Sequence, residues 1–296
     1  MTRAGWRGQP KSLPHSADRP VSDLEGQIAL RRMAGDDDAQ IDLAGAALLL
    51  ASRECPDISQ TPYHEHLDEL TTAVARTFED LPDGASRKRD ALATVIHDDF
   101  GYRGDQQSYD DLQNANLMQV IDRRKGLPIA LGILHIHCGR RLGWDICGLN
   151  FPGHFLIRLD EGAERTILDP FNNGTERSVA ELRELLKATQ GPDSELTPDH
   201  YAMVSNRDIL IRLQNNRKIR LLQANRVADG LTVVEDMLLF APGEAALWHE
   251  AGVLNAHLEN FRAAIIAFDH CRDLTSNPGE RARVAGLISK LRARLN

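Results

Sequence analysis

Several things are scarce in this chain, and each scarcity excludes something. No apolar run approaches the roughly 18 residues of a membrane span, and the amino end lacks the hydrophobic stretch of a secretory signal. Cysteine occurs only at Cys55, Cys138, Cys147 and Cys271, without paired spacing. Neither a disulfide framework nor a zinc knuckle is implied, and a reduced, cytoplasmic setting is expected. Positive charge is outnumbered: 35 Lys and Arg stand against 43 Asp and Glu, a formal net charge of −8. That balance lacks the basic footprint of a general nucleic-acid binder. No membrane and no nucleic-acid partner is expected. Residues 1–23 lack any hydrophobic period and are rich in Pro, Arg and Ser, which reads as a disordered lead-in with Trp6 a stray aromatic.

What remains is ordinary for a globular protein: 42% hydrophobic and 26% charged residues over 296 positions. That length suits one large domain or two moderate ones. A helical pattern begins at Asp38 and stops at Cys55-Pro56. A second follows Thr61-Pro62, with Thr61 as cap and Pro at the first helical position. Its Leu67, Leu70, Val74 and Phe78 recur at the spacing of a buried face. His64, Glu65, His66 and Asp68 look like half a metal site, but positions i and i+2 on a helix point apart, so a solvated first turn is expected. A third helix covers Ser86 to Asp98. Further on, Ser178 and Glu181 have the spacing of a capping box.

From Asn206 the chain reads as all helix, with breaks at Gly230, Pro242-Gly243 and Ser276-Pro278. Trp248, Ala251 and Gly252, then Ala264, Phe268 and Cys271, alternate large and small residues as in one tetratricopeptide hairpin of about 34 residues. The preceding pair of helices fits the same period more loosely, and the last helix, Glu280 to Leu295, would cap the stack. Arg207 to Arg226 holds five Arg and one Lys against one Asp. In an acidic protein this is expected to be a solvated helix face, with Leu210, Leu213, Leu221 and Leu222 turned inward.

The chemistry concentrates between Asn114 and Gly174. Gly126-Leu127-Pro128 opens an apolar helix with proline at its first position, where the missing N–H costs nothing. The helix runs to Leu142-Gly143 and is followed by a strand from Trp144 to Leu149 and a Pro-Gly turn. A second strand starts at His154, with Leu156 and Arg158 on the face of His154 and Phe155, Ile157 and Leu159 on the other. A third ends at Asp169-Pro170. Thiol-triad chemistry needs a cysteine at a helix start, a histidine base, and an acid that fixes the imidazole. His154 and Asp169, at neighbouring strand ends, are candidates for the last two. Cys138 lies about 15 Å along the helix at ~1.5 Å per residue, and Cys147 reads as a small buried thiol. His135, His137 and Cys138 look metal-like, yet the two histidines point apart, so no metal site is expected.

Asn114, the run Arg123 to Ile129, Leu142-Gly143, Pro152 to Leu156 and Asp169 to Asn172 are collinear with a known pattern. The stretch resembles the transglutaminase-like core of bacterial SirB-type proteins, which carry C-terminal tetratricopeptide repeats. The resemblance implies an α+β chain: a papain/transglutaminase-like core with N-terminal helices over residues 38–190, then an all-α tetratricopeptide-like tail over 206–296. It also implies the histidine role for His154 and the aspartate role for Asp169. The position of the superfamily's nucleophile falls on Pro128, which cannot attack. This favours a non-catalytic, regulatory pseudo-enzyme. Its degenerate cleft and repeat face would contact a protein or peptide partner, with no cofactor. The alternative is a hydrolase or acyltransferase acting on peptide or amide bonds through His154 and Asp169 with a non-standard nucleophile.

Overall fold

The computed structural model describes residues 20–84, 86–161 and 164–295. Most of the expected lead-in, up to residue 19, lies outside the described residues. Where the expected lead-in ends, α1 (Asp23–Met33) begins, with Ser22 and Glu25 forming a reciprocal capping box, a helix not assigned from the sequence. Only Gly26 and Leu30 of this helix are buried, so its apolar stripe is too thin to stand out by periodicity, and the cap was the readable signal.

Helix α2 (Leu43–Ser52) is capped by the Asp42 carboxylate, which accepts from Gly45 N at 3.1 Å. It buries Leu43, Leu48 and Leu50 and four alanines, the composition of a helix surrounded by protein. Helix α3 (Thr61–Asp80) buries Leu67, Leu70 and Val74 as expected, although Gln60 rather than Thr61 occupies the cap position. His64, Glu65 and Asp68 are exposed. His66 is not: it is buried, its Nε2 lies 2.8 Å from Tyr102 Oη, and the Arg124 guanidinium donates to both. A histidine one turn into an amphipathic helix falls on the inward stripe with Tyr63, Leu67 and Leu70, which corrects the solvated reading.

Helix α4 (Arg87–Ala93) runs into a π-helical turn, Thr94–Asp99, that carries His97 into the interior. Two-residue strands β1 (Arg103–Gly104) and β2 (Lys125–Gly126) pair in parallel on either side of α5 (Leu117–Arg123). Helix α6 (Pro128–Arg141) is the hub of the core. Strands β3 (Asp145–Gly148), β4 (Ile157–Glu161), β5 (Glu164–Asp169) and β6 (Thr175–Glu176) form an antiparallel sheet in sequence order. One face puts Ile146, Phe155, Ile157 and Leu168 into the main core with α6. The other packs Cys147, Leu149 and Leu156 against Leu182 and Leu186 of α7 (Val179–Gln190), whose Ser178–Glu181 capping box is formed. The alternation expected after His154 is therefore real. The strand itself begins only at Ile157, so His154 sits in the preceding turn.

The tail comprises α8 (Asn206–Gln223), α9 (Val227–Phe240), α10 (Ala245–His257), α11 (Phe261–Leu274) and α12 (Pro278–Leu295). The first break falls at 224–226, where Asn225 takes a φ of 57°, and not at Gly230, which is buried inside α9. Helices α10 and α11 interlock: a Cβ on Gly252 would come within 2.6 Å of the Phe268 ring, so the close approach requires glycine. Trp248 Nε1 donates to Pro242 O at 2.7 Å, and its indole stacks on His270. Val284, Ile288 and Leu291 of α12 cover Ala264, Phe268 and Cys271.

The basic run on α8 is not a solvated face. Arg212 reaches backbone carbonyls of the β3–β4 turn, Arg217 pairs with Glu54 at 3.0 Å, and Arg220 pairs with Asp110 at 3.2 Å. The Lys218 ammonium, buried, donates to Glu250 and Asn215. Ile219, by contrast, is 49% exposed, and Asp208, Gln223 and, past the helix, Arg226 also face outward. The expectation fails because the acceptors come from distant segments, so nothing near the run announces them. Buried cations persist where such partners surround them.

Candidate functional site

Asp169 anchors the site. It closes β5, where its carboxylate caps the tight turn Pro170–Asn172 by accepting from Phe171 N at 3.0 Å and Asn172 N at 3.3 Å. It also accepts from Asn172 Nδ2 at 2.7 Å and from Arg177 Nη2 at 2.9 Å and Nε at 3.2 Å. His154 Nε2 completes the set at 2.9 Å from Oδ1. Burial alone would raise the Asp169 carboxyl, since its side chain is 1% exposed. The hydrogen bonds from His154, Asn172 and Arg177 outweigh burial and hold it well below the usual carboxylate range.

His154 projects from the turn that joins β3 to β4. Arg212 pins this turn by donating to Leu149 O at 3.2 Å, Phe151 O at 3.0 Å and His154 O at 3.4 Å. The ring meets Phe171 edge to face, Phe171 meets Tyr109 the same way, and the Arg220 guanidinium lies 5.5 Å over the Tyr109 ring. The exposed side of the pair therefore has an aromatic wall ending in a cation. Asp169 holds Nε2, so Nδ1 is the ring nitrogen left for a ligand or a water.

Pro128 stands at the first position of α6, preceded by extended Leu127, and both are buried. Pro128, Ile129 and Ala130 carry no nucleophilic atom. Among the described residues no cysteine hydrogen-bonds to His154. Cys138 is buried against Thr71, and desolvation pushes its thiol up to about 12. Burial also raises Cys55, Cys147 and Cys271. Cys147 sits among Leu149, Phe151 and Leu156 as a packed thiol.

His135 and His137 point apart. His135 turns to His97, and His137 lines a separate concavity of about 460 Å³ with His64, Asp68 and Arg141. Among the described residues no group of three or more His, Cys, Asp or Glu is placed to hold a metal ion. The structure brings together His154 and Asp169, which the sequence names; Phe171 and Asn172 fall in the same motif without a role assigned there, and Arg177, Arg212 and Tyr109 are not singled out by sequence. The Asn172-Asn173-Gly174 turn signal was available for Asn172. Nothing local marks the two arginines.

A His-bearing turn and an Asp-ending strand on one antiparallel sheet, packed on a helix that opens at Gly-x-Pro and followed by helical hairpins, define a transglutaminase-like core with a tetratricopeptide tail. Residues 61–215 match the model of the transglutaminase-like superfamily, and residues 218–293 match that of the tetratricopeptide repeat. A UPF0162 protein of Xylella fastidiosa is 30% identical over 224 residues, covering 75% of this chain and 79% of its own length. One from Vibrio cholerae is 33% identical over 187 residues, 62% of this chain and 69% of its own. F-box only protein 21 of Homo sapiens is 30% identical over 139 residues, 44% of this chain but 21% of that protein. Menin, a solved structure, superposes with a TM-score of 0.41 at 10% identity, covering 88% of this chain and 72% of its own. The chain belongs to the transglutaminase-like superfamily, in its bacterial UPF0162 (SirB-type) group.

Proposed function

We propose that this protein binds a protein or peptide partner without turning it over, through the His154–Asp169 cleft and the face of its tetratricopeptide hairpins. The reading is supported by the start of α6, where Pro128 is the first helical residue and the count back from Leu142-Gly143 assigns it the nucleophile's place, and by four thiols that burial makes less acidic. Tetratricopeptide repeats typically mediate protein–protein contact, which supports a protein partner. The aromatic wall of Phe171 and Tyr109 beside a pinned imidazole suits an amide-bearing segment, because rings offer apolar area and the imidazole offers a hydrogen bond.

The test is timed alkylation near pH 6, read per cysteine by mass spectrometry, in wild type and His154→Ala. Ordinary thiols, with a reference pKa of about 8.5, are almost wholly protonated there. All four cysteines are expected to label slowly and alike. Fast labelling of Cys138 or Cys147 that His154→Ala abolishes would make the protein a thiol enzyme. Peptides selected on the wild type should bind more weakly to Trp248→Ala, through lost repeat packing. His154→Ala weakens the peptides that use the cleft. Peptides indifferent to both changes would refute this mode of binding.

One observation favours a second reading. The His154–Asp169 pair keeps a 2.9 Å contact, and a histidine so oriented can act on a water as general base. Hydrolysis of an activated amide that is lost in His154→Ala would select it.

A further inference from the structure

Beneath the Asp169 turn lie two histidines that the site does not use. His97, on the π-helical turn after α4, is 1% exposed, and His135, in the middle of α6, is 0% exposed. His97 Nδ1 lies 2.8 Å from Tyr102 O, and His135 Nδ1 lies 2.9 Å from Leu131 O. Their Nε2 atoms face each other at 3.2 Å. Gly174, at a φ of +65°, closes over the pair: a Cβ there would stand 3.3 Å from both Nε2 atoms.

Counting protons shows what this arrangement lacks. A carbonyl only accepts, so each Nδ1 contact needs its proton on the ring. A neutral imidazole carries one N–H. Two neutral rings therefore satisfy both carbonyls and leave two Nε2 lone pairs opposed at hydrogen-bond distance. Shifting one ring to its other tautomer repairs that contact and opposes Nδ1 to a carbonyl instead. Three contacts require three protons, and two neutral rings hold two.

We propose that His97 and His135 form a buried one-proton site: the pair takes up a single proton, shared as N–H···N, and the resulting charge lies under the turn that carries Asp169. The ligand is a proton rather than a metal ion. No third His, Cys, Asp or Glu is placed among the described residues to complete a coordination sphere.

The charges around the pair set the pH at which it fills. Burial opposes the cation on both rings. Arg103, whose guanidinium donates to His97 O and Tyr102 O, opposes it at His97, whereas Asp98 favours it there. Asp169 favours it at both rings, with its own charge divided among His154, Asn172 and Arg177. The balance lies below the ordinary histidine value. The sign follows: unfolded histidines take protons at about pH 6.5 while the folded pair resists, so this cluster loses stability as pH falls from that value toward its own. Uptake of the shared proton halts part of that loss and repels cations approaching Asp169.

The test is a pH titration of the histidine side chains by ¹H–¹⁵N NMR. His97 and His135 should titrate together in one step below the ordinary histidine range, with a through-bond ¹⁵N–¹⁵N coupling in the protonated form. The amides of Phe171 and Asn172, which donate to Asp169, should shift in the same step. His97→Gln places an amide N–H against His135 Nε2 and leaves Tyr102 O its Arg103 donor. It should abolish the step and the linked amide shifts, and flatten the fall in melting temperature between pH 7 and 5. Separate titration of the two rings, no uptake before acid unfolding, or displacement of both ring signals by one equivalent of Zn²⁺ would each overturn the proposal. The wild-type titration decides the matter even if the variant does not fold.

Discussion

Replacing Asp169 by Asn tests whether this carboxylate is the keystone of the sheet end. The amide keeps the shape and one acceptor, so Phe171 N, Asn172 N and His154 can still be satisfied. The new NH₂ group, however, takes the place of Oδ2, which accepts from Asn172 Nδ2 and from two nitrogens of Arg177. Three donor contacts become donor–donor contacts, and Arg177 loses its buried counter-charge. Breaking one side of a buried pair costs about 3–5 kcal/mol. Arg177 keeps about a quarter of its surface in water, so the lower end, about 3 kcal/mol, is expected. In a protein of this size each kcal/mol moves the melting temperature by about 2–4 °C. A fall of ~6–12 °C should follow at pH 7.

The pH dependence carries its own sign. The folded carboxyl is held low, so its stabilisation is complete above the unfolded value of about 3.9 and is lost as pH falls through the folded one. The gap between wild type and Asp169→Asn, measured by urea unfolding, should be constant from pH 7 to 5 and shrink below pH 4. A gap under about 1 kcal/mol at pH 7, or one that does not shrink in acid, would refute the keystone role.

Gly252→Val should cost about 1–3 kcal/mol by overpacking, because its side chain would drive into the Phe268 ring; calorimetry that shows no loss would mean that α10 and α11 do not interlock. Asp236→Ala removes the buried partner of Arg53, which it meets at 2.6 Å with both side chains largely buried; Arg53 keeps the exposed Asp23 carboxylate at 2.8 Å, so a loss at the lower end for a broken buried pair, about 3 kcal/mol, is expected. The double replacement Arg53→Met/Asp236→Leu should recover most of that loss, and a double variant no better than the single one would count against the desolvated pair.

Local signals were the readable ones. Pro128 at a helix start, the Ser178–Glu181 box, the Trp248 and Gly252 hairpin and the alternation from Phe155 to Leu159 each depend on neighbours within a few residues, and each is found where the sequence puts it. His154 and Asp169 could be named because both stand at strand-end punctuation, Pro-Gly before one and Pro after the other. The residues that hold them could not. Arg177 folds back past a tight turn and β6 onto Asp169, and Arg212 reaches the His154 turn from α8; an arginine chosen by an acceptor on another element looks no different from a solvated one. For the same reason α8 reads as a charged face and folds as a buried one. The His97–His135 pair was hidden because a π-helical turn rotates His97 out of the period that an α-helix would predict.

The inward arginines of α8 bear on what a covalent break would do. The connection between α7 and α8, residues 191–205, is largely exposed and contains two prolines. A protease admitted there would cut the backbone without separating the pieces. Arg207, Arg212, Arg217 and Arg220 would still clasp Asp38, the β3–β4 carbonyls, Glu54 and Asp110. The two fragments would co-migrate as one particle and part only in denaturant. The loop therefore joins the halves in sequence, while the fold itself joins them in space.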